Sequence, residues 1–259
     1  MANTVFSNVV IEAKAKDLLT TALNTRTLMT IDNTLAETAG MTKTINVYTY
    51  TGTAEELEAG AKNTGKGSIA YTGTDYKVKR VQQTFEYLDD DFMQDNTIVD
   101  NMLKGANQVM VNKMTADFVG ECAKATLEHD AATTGFGYEA IVDAIAKLNL
   151  EDESKIFVVI PNAWKADLRK DEDYKTARMG EVVYNGQVGT ICGIPVIATN
   201  ALTDKAYVMT AEAVKLFMKK DVQVEQDRDI ETKANTVVLT TYYICALADA
   251  TKICKVTVA

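Results

Sequence analysis

A chain of 259 residues can bury a substantial core without disulfides, and its length favours one elaborated domain or two closely joined ones. Its 47% hydrophobic and 24% charged residues fall in the ordinary globular range and exclude a disordered chain. A formal net charge of −9 argues against a sequence-reading nucleic-acid binder, because neutralising phosphates takes a dense lysine and arginine surface.

No apolar run approaches the ~18 residues that span a bilayer, and the first residues lack a basic region followed by an apolar stretch. The expectation is a chain made and used in a soluble, cytoplasmic setting, with no membrane partner. Two prolines in the whole chain suit long strands and at least one long helix, since proline breaks both. The four cysteines, Cys122, Cys192, Cys245 and Cys254, share no metal-ligand spacing and read as buried thiols.

In chain order, Ile11, Ala15, Leu18, Leu19, Ala22 and Leu23 recur at helical spacing and predict a helix over 11–24. Thr25 to Met41 is threonine-rich and weakly periodic, an extended arm that must lie on something. Strand character runs from Lys43 to Tyr50 and again from Tyr71 to Leu88, which together predict a long hairpin. In the second run the apolar parity switches between Val78 and Val81, so a bulge or twist is expected near Lys79 and Arg80. Between the runs, Gly52 to Ala70 carries Gly60, Gly65 and Gly67, the acids Glu55, Glu56 and Glu58, and two lysines, Lys62 and Lys66. A linker of that length is either functional or a mobile surface loop.

Asp89, Asp90 and Asp91 suit a helix N-terminus. Beyond them, Ile98, Met102, Ala106, Val109, Met110, Met114, Phe118 and Cys122 predict a long helix from Thr97 to about Leu127. His129 to Gly137 reads as a polar boundary. Helix and strand then alternate. Tyr138 to Leu148 is an amphipathic helix and Lys155 to Ile160 a strand. A helix bearing Trp164 and Leu168 follows, with Asn162 as its cap, then a polar stretch from Lys170 to Tyr184. Gly186, Gly189 and Gly193 lead into Ile194-Pro195-Val196-Ile197. Strands over Ala206–Thr210, Val222–Glu225, Thr236–Ala248 and Ile253–Val258 complete an α+β chain.

Chemistry-bearing patterns are sparse. The lone histidine, His129, falls in the expected boundary loop and reads as solvated. There is no GxSxG elbow and no GxxxxGK[ST]; Gly65-Lys66-Gly67-Ser68 has no apolar strand leading into it. Glu225, Asp227, Asp229 and Glu231 have the oxygen ligands of a divalent-cation site, but with Arg228 among them they read better as a solvated turn. The reading is of a chain with no catalytic, cofactor-binding or metal residues. The competing one is a small-molecule enzyme or ligand-binding α/β domain over Tyr138–Ile197.

Two local patterns are more specific. One is Leu57-Glu58-Ala59-Gly60-Ala61, followed by a lysine-bearing strand into Phe85 and the acidic helix start. The other is Gly193-Ile194-Pro195-Val196-Ile197, then Ala206-Tyr207-Val208-Met209, then Val222-Gln223-Val224-Glu225 with Asp227-Arg228-Asp229, and last the strand through Tyr242 and Tyr243. In this order they resemble the major capsid proteins of tailed bacteriophages with the Hong Kong 97-like fold.

The resemblance implies an N-terminal arm over 1–40 and an extended loop over 41–88. A peripheral domain with a spine helix would span 89–136, an axial domain 137–224, and return strands of the peripheral domain 225–259. It implies a structural subunit that assembles with itself into hexamers and pentamers of an icosahedral shell around double-stranded DNA. The site of action would be the virion, with assembly in the bacterial host cytoplasm. Because the arm begins almost at Met1, a separate scaffolding protein is expected. A portal protein, a decoration protein and non-specific contact with packaged DNA complete the candidate partners. Inter-subunit contacts are expected at Glu55, Glu56, Glu58, Lys62, Lys66 and Arg228. Some relatives join lysine and asparagine side chains between subunits, and Lys62, Asn63 and Lys66 lie in the corresponding loop, although lysine in a polar loop is ordinary. An encapsulin-type shell around a cargo enzyme is the nearest alternative.

Overall fold

The computed structural model describes residues 11–15, 28–95, 97–132, 135–172 and 190–258. Residues 11–15 are helical; the rest of the predicted 11–24 helix, most of the Lys170–Tyr184 stretch, Gly186 and Gly189 lie outside the described residues. Twelve strands are described, and they form three sheets.

The first sheet has four strands in the order β1-β10-β11-β4, where β1 is Thr30–Asp32, β4 Lys79–Leu88, β10 Val214–Arg228 and β11 Ala234–Leu247. Alternation explains its two faces. Leu216, Val222 and Val224 of β10 and Val237, Leu239, Tyr243 and Cys245 of β11 enter the main core, whereas Phe217, Ile244 and Ala246 point to the other side. The long helix, Ile98–Cys122, packs on the core face through Val99, Leu103, Ala106, Met110, Met114, Phe118 and Cys122. Its 25 residues make a rod of about 37 Å at 1.5 Å per residue. The helix ends five residues before the predicted Leu127, and Val109, counted in the predicted stripe, is 51% exposed.

The second sheet runs β5-β12-β9-β6-β8-β7, with β5 Leu127–Asp130, β6 Ile156–Pro161, β7 Thr190–Ile191, β8 Ile194–Thr199, β9 Lys205–Thr210 and β12 Ile253–Thr257. Every residue of β6 is buried, as befits a strand covered on both faces. Val158, Ile160, Ala206, Val208, Cys254 and Val256 lie under the amphipathic helix Tyr138–Leu148. Phe157, Val159, Tyr207, Met209 and Ile253 turn into the main core with the long helix. One core therefore runs continuously beneath both sheets.

This arrangement corrects several expectations. The last strands divide between two sheets: β10 and β11 join the long-helix sheet, whereas β12 joins β9 in the other. The expected divide between 224 and 225 falls inside β10. His129 lies not in a boundary loop but in β5, which pairs in parallel with β12. Asn162 caps nothing: it opens a short 3-10 turn, Asn162–Trp164, ahead of the helix Lys165–Lys170. Of the four cysteines, Cys192 is exposed, in the left-handed region at φ 51° beside Gly193 at φ 80°, in the tight β7–β8 turn.

The third sheet is a hairpin of β2 (Thr42–Thr51) and β3 (Ser68–Lys77), each of ten residues. The parity switch expected near Lys79 is a full break at Val78: β3 pairs with β2, whereas β4 pairs with β11.

Candidate assembly surfaces

The hairpin stands on a small core of its own. Leu35, Phe217, Ile244 and Ala246 are buried there, with Ile45, Tyr76 and Val78 packed against them. Leu35 belongs to the segment expected to be an arm. That segment is bound instead to its own chain: Leu28 and Met29 are buried in the main core, β1 pairs in parallel with β10, and Lys219 Nζ donates to the carbonyl oxygens of Leu35 (3.1 Å) and Thr38. Residues 28–38 thus act as a strap over the hairpin root.

Two buried carboxylates on the long helix, Asp117 and Glu121, hold the strands around the Val78 break. Asp117 accepts from Lys79 (3.1 Å), Lys113 (3.0 Å) and the Tyr243 hydroxyl (2.9 Å). Burial works to raise the Asp117 pKa, but the hydrogen bonds from Lys113, Tyr243 and Lys79 outweigh it and hold the carboxyl below its ordinary value. Glu121 accepts from Lys124 Nζ at 2.7 and 2.8 Å, and that ammonium lies 5.3 Å from the centre of the Tyr76 ring, within cation–π range.

Away from the root the hairpin has no core beneath it. Val47, Tyr50, Ile69 and Tyr71 are each at least half exposed. Tyr50 lies along the ribbon end, and a Cβ on Gly52 would stand 2.7 Å from its hydroxyl, with one on Gly67 closer still; these glycines make room for the ring. The tip, residues 52–67, is organised by Glu55, which accepts from the Thr64 amide (3.1 Å) and hydroxyl (3.0 Å). Those bonds hold the Glu55 carboxyl below its ordinary pKa. Gly60, at φ 94°, makes the turn closed by the Ala61 N–H to Glu58 carbonyl bond.

The structure separates the sequence-predicted contact residues into two places. Glu55, Glu56, Glu58, Lys62 and Lys66, with Asn63, are exposed in the tip. Arg228 is remote from them and engaged within the chain: its guanidinium donates to Asp89 at 2.5 Å, and Asn235 donates to the same carboxylate at 2.7 Å. The Asn235 and Arg228 hydrogen bonds lower the Asp89 pKa. Asp229 accepts from the Glu231 amide and the Thr232 hydroxyl, both at 2.8 Å, which is the hydrogen bonding of a turn. Sequence reasoning missed Ile230, 76% exposed at the tip of that turn, and Val109. Hydrophobicity on a turn or on the flank of a helix stripe was their only signal.

A family model described as phage capsid protein matches residues 70–256. The major capsid protein of Staphylococcus phage phiMR11 is 25% identical over 238 residues, 88% of this chain and 84% of that protein. Among solved structures, the capsid of a native GTA particle aligns over 100% of this chain and 93% of its own at 12% identity and a TM-score of 0.71. The cyanophage P-SCSP1u capsid aligns over 90% and 86% at 12% identity and a TM-score of 0.69. A virus-like particle from Pyrococcus furiosus aligns over 96% and 98% at 10% identity and a TM-score of 0.67. These structural likenesses show a phage capsid fold. The matched span takes in nearly all of β3, the long helix and most of both larger sheets, and on that match the chain belongs to the phage capsid protein family.

Proposed function

We propose that the chain is the major capsid protein of a tailed bacteriophage or prophage, assembling as hexamers and pentamers into an icosahedral shell around double-stranded DNA. In this reading it has the Hong Kong 97-like arrangement, with the hairpin as the extended loop, Ile98–Cys122 as the spine helix and the β6–β9 region as the axial part. Its role is structural. The observation that carries the reading is the hairpin: a ribbon of two ten-residue strands, rooted by buried contacts yet presenting Val47, Tyr50, Ile69 and Tyr71 to solvent. A two-stranded ribbon is at best marginal alone in water, so its distal part gains stability by packing on a neighbour. Repeated heterologous contacts of that kind close into rings and shells.

Assembly would proceed with a separate scaffolding protein and a portal, and the shell would be built in the host cytoplasm. Replacing residues 53–66 by a two-residue Asn-Gly turn tests the reading. The variant should keep the wild-type circular dichroism and melting transition but fail to form particles; particles at wild-type yield would contradict it. The likeness to the Pyrococcus furiosus particle supports a second reading, a shell around a protein cargo. Nuclease-protected DNA inside purified particles favours the first, and a co-purifying enzyme the second.

A further inference from the structure

A shallow cavity of about 540 Å³ opens where the amphipathic helix Tyr138–Leu148 begins, against the short helix Lys165–Lys170. Its volume falls in the range of small-molecule sites. Phe136 and Trp164 form the apolar wall, with ring centroids 4.5 Å apart and planes tilted by 36°. Both rings pack on the core beneath the amphipathic helix yet stay partly exposed.

Helical spacing sets the polar side. Trp164, Asp167 and Asp171 stand at three- and four-residue steps and so share one face of the turn and helix that follow β6. The Asp171 amide donates to the Asp167 carbonyl at 3.0 Å, which carries the helical pattern as far as Asp171. Residues four apart on a helix hold their Cβ atoms about 5–6 Å apart. Asp171 is fixed in place: it accepts from the Tyr138 amide at 2.7 Å, and Gly137 lets it approach, because a Cβ there would collide with the carboxylate. Asp167 is exposed. Lys170 is the one cation among the lining residues, so two carboxylates stand against one ammonium beside an aromatic wall.

We infer that this cavity binds an aliphatic diamine or polyamine, with one ammonium between Asp167 and the Trp164 ring and a second at Asp171. Ammonium groups separated by a few methylenes match carboxylates one helical turn apart, and the carbon chain between them lies along Phe136 and Trp164. An ammonium over an aromatic face gains cation–π attraction, strongest on tryptophan, and its contact with a carboxylate is a charge-assisted hydrogen bond. The surplus negative charge disfavours an anion. A purely apolar ligand is disfavoured too, since it would bury the carboxylates without a partner.

Trp164 is the only tryptophan of the chain, so its fluorescence reports this cavity alone. The full-length chain is titrated with spermidine, with magnesium chloride at matched ionic strength as the control for screening. Equilibrium dialysis of labelled spermidine measures binding in parallel. Spermidine should change the Trp164 emission saturably with one equivalent bound, and magnesium should leave it unchanged. Asp167→Asn should weaken binding by about tenfold or more, the scale of one lost charge-assisted contact. Lys170→Ala, which removes the competing ammonium, should tighten it. Both positions are exposed, so neither substitution should move the melting transition.

A chain of net charge −9 also attracts polycations diffusely, and the variants separate that attraction from a site. Spermidine binding that Asp167→Asn leaves unchanged, an emission change that magnesium reproduces, or no binding in dialysis would each overturn the assignment.

Discussion

Lys79 Nζ lies 3.1 Å from Asp117 Oδ1, which ties the first residue of β4 to the long helix. The same carboxylate receives Tyr243 from β11, so one buried group joins strand, helix and sheet at the point where the chain leaves the ribbon and enters the body. Tyr243 is fully buried, and burial, followed by the Asp117 charge, pushes its phenol far above its usual pKa. It therefore stays protonated and donates to Asp117.

Asp117→Ala removes the acceptor of a buried hydroxyl. Urea unfolding should show a loss of about 1–3 kcal/mol, the cost of an orphaned buried donor. Lys113→Ala, at a half-exposed lysine, should cost under about 1 kcal/mol. Equal effects of the two substitutions would contradict this account of the node.

The same group predicts a pH dependence. Its folded pKa is depressed, so its contribution is fully present above the unfolded value near 3.9 and is lost as pH falls through the lower folded value. The difference in melting temperature between wild type and Asp117→Asn should hold steady from about pH 7 to 5 and narrow below about pH 4. A gap that widens on acidification would reverse the sign argued here.

Leu35 is 3% exposed in the small core under the hairpin root. Leu35→Ala should destabilise by about 2–5 kcal/mol, as a buried leucine does, and should speed proteolysis within the hairpin. A surface-like change below about 0.5 kcal/mol would mean that the strap does not hold the root.

Thiol labelling of the native monomer should modify Cys192 quickly and the other three only on unfolding. Cys122, Cys245 and Cys254 are buried, and burial pushes the Cys245 thiol up to about 12, which leaves little thiolate to react. Rapid reaction of more than one thiol in folded protein would contradict the packing of the main core.

Much of this architecture was legible because it is local. The proline-free stripe through Met110, Met114, Phe118 and Cys122 specifies the long helix, and the alternation through Ile45 and Val47 specifies a hairpin strand. The errors lie where non-local pairing decides. Leu127 reads as the helix end, but it pairs with Cys254, and no periodicity reports a partner so distant. Arg228 reads as a surface charge because its partner Asp89 is 139 residues away. The arm shows no core of its own because its core, at Leu35, Phe217 and Ile244, is built from three separate segments. The tip acids could be named from composition alone, whereas the exposure of Val109 needed the fold.

In the proposed reading this chain builds a closed shell from copies of itself. Negative-stain electron microscopy of the wild-type chain, produced alone and with the proposed scaffolding protein, is the direct test. Closed particles of uniform diameter are expected, and only monomers or small oligomers at high protein concentration would rule the shell out.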